Sequence, residues 1–242
     1  MPRWGMVIDL DKCVACQGCS VACRFENNTP VVTPAEAVKG RSIRWNDVFP
    51  FPVDPAEDTG KYPNVTTRYI TRPCMHCENP ACIKVCPVQA TYKDEEGIVR
   101  VNYKRCIGCR LCTVACPYGV RYFNWYAPEW EGSLAEHLNP DRIETADDLE
   151  GPSIRPKGVV EKCTFCLQRL KKAHAQADAE QRSFRADEYI PACVQTCPGK
   201  ARFFGDLDNA SSEVSQLQKS ARAFRLLDDA GTRPQVIYLR EG

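Results

Sequence analysis

Sixteen cysteines fall along this 242-residue sequence in four sets of four. The tightest is Cys106, Cys109, Cys112 and Cys116, with Pro117 directly after it, a C-x2-C-x2-C-x3-C-P run. Cys13, Cys16, Cys19 and Cys23 keep the same spacing, but Arg24 stands where the proline would. Cys74, Cys77, Cys82 and Cys86 lengthen the second gap by two residues, and Cys163, Cys166, Cys193 and Cys197 open it to 26. Three thiolates three residues apart on a tight loop can wrap three iron corners of one cube, while a fourth at the start of the next helix points away to a second cube. The proline is tolerated there because a backbone N–H in a first helical turn has no partner to lose. Sixteen cysteines divide into four sets with none left over, so four [4Fe–4S] clusters are the natural count.

The segments that must position these loops repeat as well. Residues 4–12 read as a strand running into the first cysteine loop, and Val99–Arg105 does the same ahead of Cys106. Asp9 and Asn102 each stand four residues before their first cysteine, and Lys12 and Arg105 one before. Cys19-Ser-Val-Ala-Cys23 matches Cys112-Thr-Val-Ala-Cys116, and Cys86-Pro-Val-Gln-Ala matches Cys197-Pro-Gly-Lys-Ala. The reading is an α+β, internally duplicated bacterial-ferredoxin-like fold: two 2[4Fe–4S] halves with loop insertions and a C-terminal extension. Half A takes residues 1–28 with 158–205, and half B takes 73–125. An insertion covers 29–72, a loop or docking segment 126–157, and a helix-and-strand tail 206–242.

In a two-cluster unit of this kind the fourth cysteine of each run ligates the other cluster. The expected ligand sets are therefore crossed. Half A would hold Cys13, Cys16, Cys19 with Cys197, and Cys163, Cys166, Cys193 with Cys23. Half B would hold Cys74, Cys77, Cys82 with Cys116, and Cys106, Cys109, Cys112 with Cys86. The alternative, each run closing on its own cube, suits the three-residue final gap poorly.

Residues 24–73 are rich in proline and read mostly as loop, with β-like stretches at Ser42–Phe49 and Val65–Thr71 that could pair as a hairpin. Residues 90–101 read as a hairpin turning at Asp94–Gly97. The aromatics Tyr118, Tyr122, Phe123, Trp125, Tyr126 and Trp130 form a lid over the cluster core or a docking face, since aromatics are favoured at interfaces. Residues 129–150 are an acidic, solvated loop. Leu167, Leu170, Ala173 and Ala177 share one face of an amphipathic helix. The tail reads as a strand at 201–207, a helix over Ser212–Leu227 and a strand at 235–239, clamping one half to the other. His76 is a surface group or a donor to a sulfur, and His137 and His174 are solvated. Arg100, Lys104, Arg105, Arg110 and Arg121 gather around the third set, as solvated charge or as a brake on negative charge that raises a cluster's potential.

Composition narrows the function. Lysine plus arginine number 32 and aspartate plus glutamate 31, so there is no basic footprint for nucleic acid. No apolar run reaches the roughly 18 residues of a membrane span. The N-terminal stretch has no apolar signal core and no twin arginine. Maturation in the cytoplasm follows, where thiols stay reduced. Four zinc sites would also consume sixteen cysteines, but zinc usually joins two C-x2-C knuckles across a long loop, and only the last set has a long gap. No phosphate loop, nucleophile triad or acid pair stands out, so no active site of its own is expected.

Four such sets, the third followed by Pro-Tyr-Gly-Val-Arg-Tyr-Phe-Asn-Trp and the last by an extension, resemble the four-cluster iron–sulfur subunit of the molybdopterin oxidoreductases. That family includes the electron-transfer subunits of dimethyl sulfoxide, polysulfide, thiosulfate and tetrathionate reductases, formate dehydrogenase and sulfite dehydrogenase. Cysteine at Cys109, unlike nitrate-reductase-type members, implies a four-iron cluster there. The resemblance implies a molybdopterin catalytic subunit facing the half with Cys13 and Cys197. It implies an integral membrane, quinone-handling anchor facing the half with Cys74 and Cys106, with a sulfur compound as the substrate of the complex. The chain would then lie peripherally on the cytoplasmic membrane, on its cytoplasmic face unless exported with a partner. The competing classes are a free-standing soluble polyferredoxin and a zinc-stapled interaction module.

Overall fold

The computed structural model describes residues 1–51, 61–62, 67–127, 136–139 and 155–240. The acidic loop at 129–150, apart from 136–139, and Trp130 lie outside the described residues. Strand β1 (Trp4–Asp9) is entirely buried and leads into the first cysteine loop. Asp9 explains its own spacing: its Oδ1 accepts the amide of Asp11 and turns the chain toward Cys13. Asn102 does the same ahead of Cys106, accepting the amides of Lys104 and Arg105.

Each set then places its third cysteine near the start of a helix and its fourth one turn later. Helix α1 (Gly18–Glu26) carries Cys19 and Cys23, and α3 (Ala81–Lys84) carries Cys82, with Cys86 just beyond it. Helix α4 (Leu111–Ala115) carries Cys112 and is capped by Cys116, and α6 (Ala192–Gln195) carries Cys193, with Cys197 beyond. Helix α1 packs against α6, and α3 against α4. The two short α2 (Pro34–Val38) and α7 (Glu213–Leu217) helices are each capped by a hydroxyl, from Thr33 and Ser212.

The insertion forms a hairpin of β2 (Asn46–Phe51) and β3 (Arg68–Pro73), and β4 (Thr91–Lys93) pairs with β5 (Val99–Val101) through a turn in which Asp94 accepts from Ile98. Strand β6 (Tyr122–Phe123) pairs with β7 (Val160–Glu161). Helix α5 (Leu167–Ala179) buries Leu167, Leu170, Ala173 and Ala177, the face its period marks. A four-stranded sheet orders β8 (Arg202–Asp206), β1, β10 (Val236–Leu239) and β9 (Ala223–Phe224), with β1 and β10 parallel.

The tail departs from its expected form. The helix expected over Ser212–Leu227 stops at Leu217, because Ala223 and Phe224 pair instead with Leu239 and Tyr238. The Phe224 ring also packs on Tyr238, so sheet pairing outweighs a helical tendency that has little apolar face to bury. The segment around β10 reaches the Cys74–Cys116 region as well. Gln235 takes its amide to Met75 O and its side chain to His76 O and Gly97 O, and Thr232 meets Tyr118. Among the described residues, no helix is long and apolar enough to cross a membrane.

A buried network fastens the cysteine loops to one another. Arg155 and Glu161 pair at 2.6 Å with both side chains fully buried. Trp45 and Asn124 also donate to Glu161, and Arg155 donates to the carbonyls of Asn27 and Asn28.

Candidate metal centres

The backbone curls at one position in every set. Ala15, His76, Gly108 and Phe165, each two residues after a first cysteine, all have φ between +41° and +66°. Left-handed backbone of this kind turns successive N–H groups to one side and makes a cradle for an anion, here sulfur. For the three non-glycine residues it costs about 1–2 kcal/mol each, which only a strong local demand sustains. A second curl follows the prolines, at Gln89, Gly119 and Lys200. It brings the amide of Ala90 to 3.2 Å from Cys86 Sγ and that of Ala201 to 3.3 Å from Cys197 Sγ, so the repeated alanines are the residues that deliver these donors. Phe165 and Val160 amides reach Cys163 and Cys106 Sγ at 3.4 and 3.5 Å. Two side chains join them: Asn46 Nδ2 lies 3.1 Å from Cys19 Sγ, and Asn27 Nδ2 stands 3.7 Å from both Cys23 and Cys166.

The sixteen cysteines gather into four groups. Cys13, Cys16, Cys19 and Cys197 line one cavity, with Arg202 in its wall. Cys86, Cys106, Cys109 and Cys112 line another, with Arg121 in its wall. Cys23 is buried facing Cys163, Cys166 and Cys193, and Cys77 faces Cys74, Cys82 and Cys116. Neighbouring groups lie close enough to feel one another's charge: Cys19 with Cys193, Cys163 with Cys74, and Cys82 with Cys112. Cys16 and Cys109, in the two outer groups, are exposed, whereas Cys163, Cys166 and Cys193 between them are buried.

Burial followed by neighbouring thiolates drives the most enclosed of these thiols upward: Cys77 and Cys166 reach about 12, and Cys23 and Cys163 also rise. Burial acts on Cys86 too, but the amides of Thr91, Ala90 and Val88 together with Arg121 outweigh it and leave this thiol below its ordinary value. Protons therefore occupy Cys23, Cys77, Cys163 and Cys166 until a metal displaces them. Among the described residues, no three His, Cys, Asp or Glu side chains converge as a single-ion site requires. In the Cys13 and Cys86 groups, four thiols around a cavity, with amides aimed at sulfurs and a guanidinium in the wall, fit a polynuclear iron–sulfur group. Such a group supplies one-electron redox chemistry when bound; the chain's own residues supply the sulfurs, the donors and the dry surroundings.

Other expected residues take different places. His76 is neither a surface group nor a donor to a sulfur. It is wholly buried, its Nδ1 accepts the amide of Val99 at 3.1 Å, and its ring stacks on Phe165 at 3.8 Å. Burial, then the charge of Lys162, lowers its pKa far below the usual histidine value. His76 and Phe165 hold the same curled position in two loops, so their stack is where the second and fourth sets meet. His174 is paired with Glu96 at 2.9 Å and lies against Phe184, so it is only partly solvated; His137 is exposed. Of the aromatic stretch, Tyr118 is buried, Phe123 and Trp125 pack under the guanidinium of Arg110, and Tyr126 is exposed beside Arg41 and Glu36. Arg110 is solvated, but Arg121 is buried. Arg202 and Asn46 escaped the sequence reading; the signal was available for Arg202, which like Arg121 stands five residues after a fourth cysteine.

Comparison with known proteins also points to iron–sulfur chemistry. The 4Fe–4S dicluster domain family matches residues 65–134. The iron–sulfur cluster-binding subunit of menaquinone reductase from Nitratidesulfovibrio vulgaris is 46% identical over 98% of this chain and 88% of its own length. The iron–sulfur subunit of arsenate respiratory reductase from a Shewanella species is 38% identical over 98% and 96%, and a sulfite dehydrogenase subunit from Allochromatium vinosum is 32% identical over 99% and 83%. At 46% identity over nearly its full length, the chain belongs to the iron–sulfur electron-transfer subunits of the molybdopterin oxidoreductase family.

Proposed function

We propose that this chain relays single electrons through four [4Fe–4S] clusters, between a molybdopterin catalytic subunit and a quinone-reactive subunit in the membrane. One observation carries the reading. Four groups of four cysteines follow one another, the outer two reaching the surface at Cys16 and Cys109, with Cys163, Cys166 and Cys193 buried between them. Short hops between adjacent groups move charge across the molecule, and exposure at the ends gives it an entrance and an exit. The crossed ligand sets are part of the proposal: Cys13, Cys16, Cys19, Cys197; Cys23, Cys163, Cys166, Cys193; Cys74, Cys77, Cys82, Cys116; and Cys86, Cys106, Cys109, Cys112. The packing of α1 on α6 and α3 on α4 supports two duplicated halves, residues 1–28 with 158–205 and residues 73–125.

The name of the menaquinone reductase relative supports a menaquinone as the quinone. Relatives named for arsenate, tetrathionate and sulfite all match nearly the whole chain, so the catalytic partner sets the terminal substrate; a sulfur compound is the substrate class we assign to it. The complex is held at the membrane by its anchor subunit.

Purification without air, with iron and acid-labile sulfide measured per chain, tests the relay: about sixteen of each are expected. About four zinc ions and no iron would end it. Recovery from membranes together with a molybdenum subunit is the expected behaviour, and a chain that stays soluble and alone while serving several enzymes would overturn the assembly. Cys116→Ser should disturb the cluster of Cys74, Cys77 and Cys82. Loss of the Cys106 cluster instead would overturn the crossing.

A further inference from the structure

Arg121 and Arg202 occupy matching places. Each stands five residues after a fourth cysteine that a proline follows, and each is buried, at 6% and 5% exposure. Each is held by a threonine hydroxyl: Arg121 Nη2 donates to Thr91 Oγ1 at 2.8 Å, and Arg202 Nη2 donates to Thr71 Oγ1. Arg202 Nη2 also meets Asn46 Oδ1 at 2.7 Å, the same amide whose Nδ2 lies on Cys19 Sγ. On Arg121, Nε and Nη1 are buried with no hydrogen-bond partner. A guanidinium taken out of water with open donors is costly unless anions face it.

The anions are sulfurs, and they come from two groups at once. Arg202 lies in the wall of the Cys13 group's cavity, and its strand β8 packs against α6, which brings the charge of Cys193 in the next group to bear on it. Arg121 lies in the wall of the Cys86 group's cavity beside Cys112; its partner Thr91 is on β4, which packs against α3, and Cys82 and Cys74 of the neighbouring group act on it. A guanidinium does not lose its proton in a protein, so each charge is permanent.

We propose that Arg121 and Arg202 each set the reduction potentials of two clusters together, as fixed positive charges wedged between the two cysteine groups of one half. This rests on the crossed ligand sets of the relay. A cluster that gains an electron gains one negative charge, and a guanidinium alongside favours that state over the oxidised one. One wedge serves two clusters, so the inner and outer members of a half shift together when its charge is removed.

The test is a potentiometric titration followed by paramagnetic resonance on the cluster-loaded chain in its complex. Arg202→Gln and Arg202→Met, two neutral replacements of different shape, should each lower the reduction equilibrium constant of two clusters at least tenfold, about 59 mV for one electron, and leave the other two in place. The same changes at Arg121 should move the complementary pair. Arg202→Lys and Arg121→Lys should lie nearer the parent, and Arg110→Gln, on the surface, should shift nothing comparable. Iron-replete neutral variants with unmoved potentials overturn the proposal, as does an equal shift of all four signals or a lysine that behaves like glutamine. A parent chain without four cluster signals fails at the earlier step and overturns the ligand reading itself.

Discussion

Two glycines with the same backbone and different surroundings give a controlled test of how the loop around Cys106 is built. Gly108 has φ +66° and Gly119 has φ +62°, so an added Cβ costs each about 1–2 kcal/mol in left-handed strain. At Gly119 that is the whole effect, because nothing lies within 4 Å of the new carbon. At Gly108 the carbon would stand 2.0 Å from Gly158 O and 2.8 Å from the Phe123 ring. Gly158 cannot retreat freely: its amide is bonded to Asn124 O, and two residues on, Val160 N donates to Cys106 Sγ. Overpacking of this kind adds about 1–3 kcal/mol and strips a donor from the sulfur, so Gly108→Ala should cost roughly 2–5 kcal/mol against about 1–2 for Gly119→Ala. The assay is iron per chain together with denaturant unfolding in the absence of air. Gly119→Ala should keep its iron and lose only stability, while Gly108→Ala should lose the cluster of Cys86, Cys106, Cys109 and Cys112. Equal iron and equal unfolding midpoints in the two variants would refute the argument that contact with Gly158 shapes this loop.

Other outcomes follow from the same geometry. Glu161→Ala removes the buried carboxylate that Arg155, Trp45 and Asn124 all reach, which should cost about 3–5 kcal/mol and lower the thermal midpoint by roughly 10 °C. Asn46→Ala removes the amide from Cys19 Sγ and should lower the potential of the cluster in the Cys13 group, read by redox titration. Burial raises the pKa of Tyr238 above its unfolded value near 10, so the stability this phenol contributes is whole below pH 10 and is lost as pH climbs through its folded value. The part of the tyrosinate absorbance that Tyr238→Phe removes should accordingly appear together with the loss of circular dichroism; its appearance in a still-folded chain would contradict this.

Much of this site is legible in the sequence because local rules dictate it. The curl after each first cysteine, the helix that starts at each third one, and the Asp9 and Asn102 turns depend on neighbours a few residues away. The hairpins at Asn46–Pro73 and Thr91–Val101 follow from their strand-forming residues and turns. What stayed hidden depends on distant partners. Arg202 becomes a buried cation only because Asn46 and Thr71 come to it from the insertion, and His76 is buried only because Phe165 arrives from another loop. The helix expected over Ser212–Leu227 fails for the same reason, since its end is claimed by β10.

The parallel pairing of β1 with β10 also bears on how the protein is made. Met6 finds its neighbour only at Val236, and Cys13, Cys16 and Cys19 find their fourth sulfur only at Cys197. A ribosome delivers these partners nearly a full chain length apart, whereas Cys74 to Cys116 emerge as one uninterrupted stretch. Assembly factors loading iron during synthesis would therefore fill the middle of the molecule first, and the cluster nearest the N-terminus last of all.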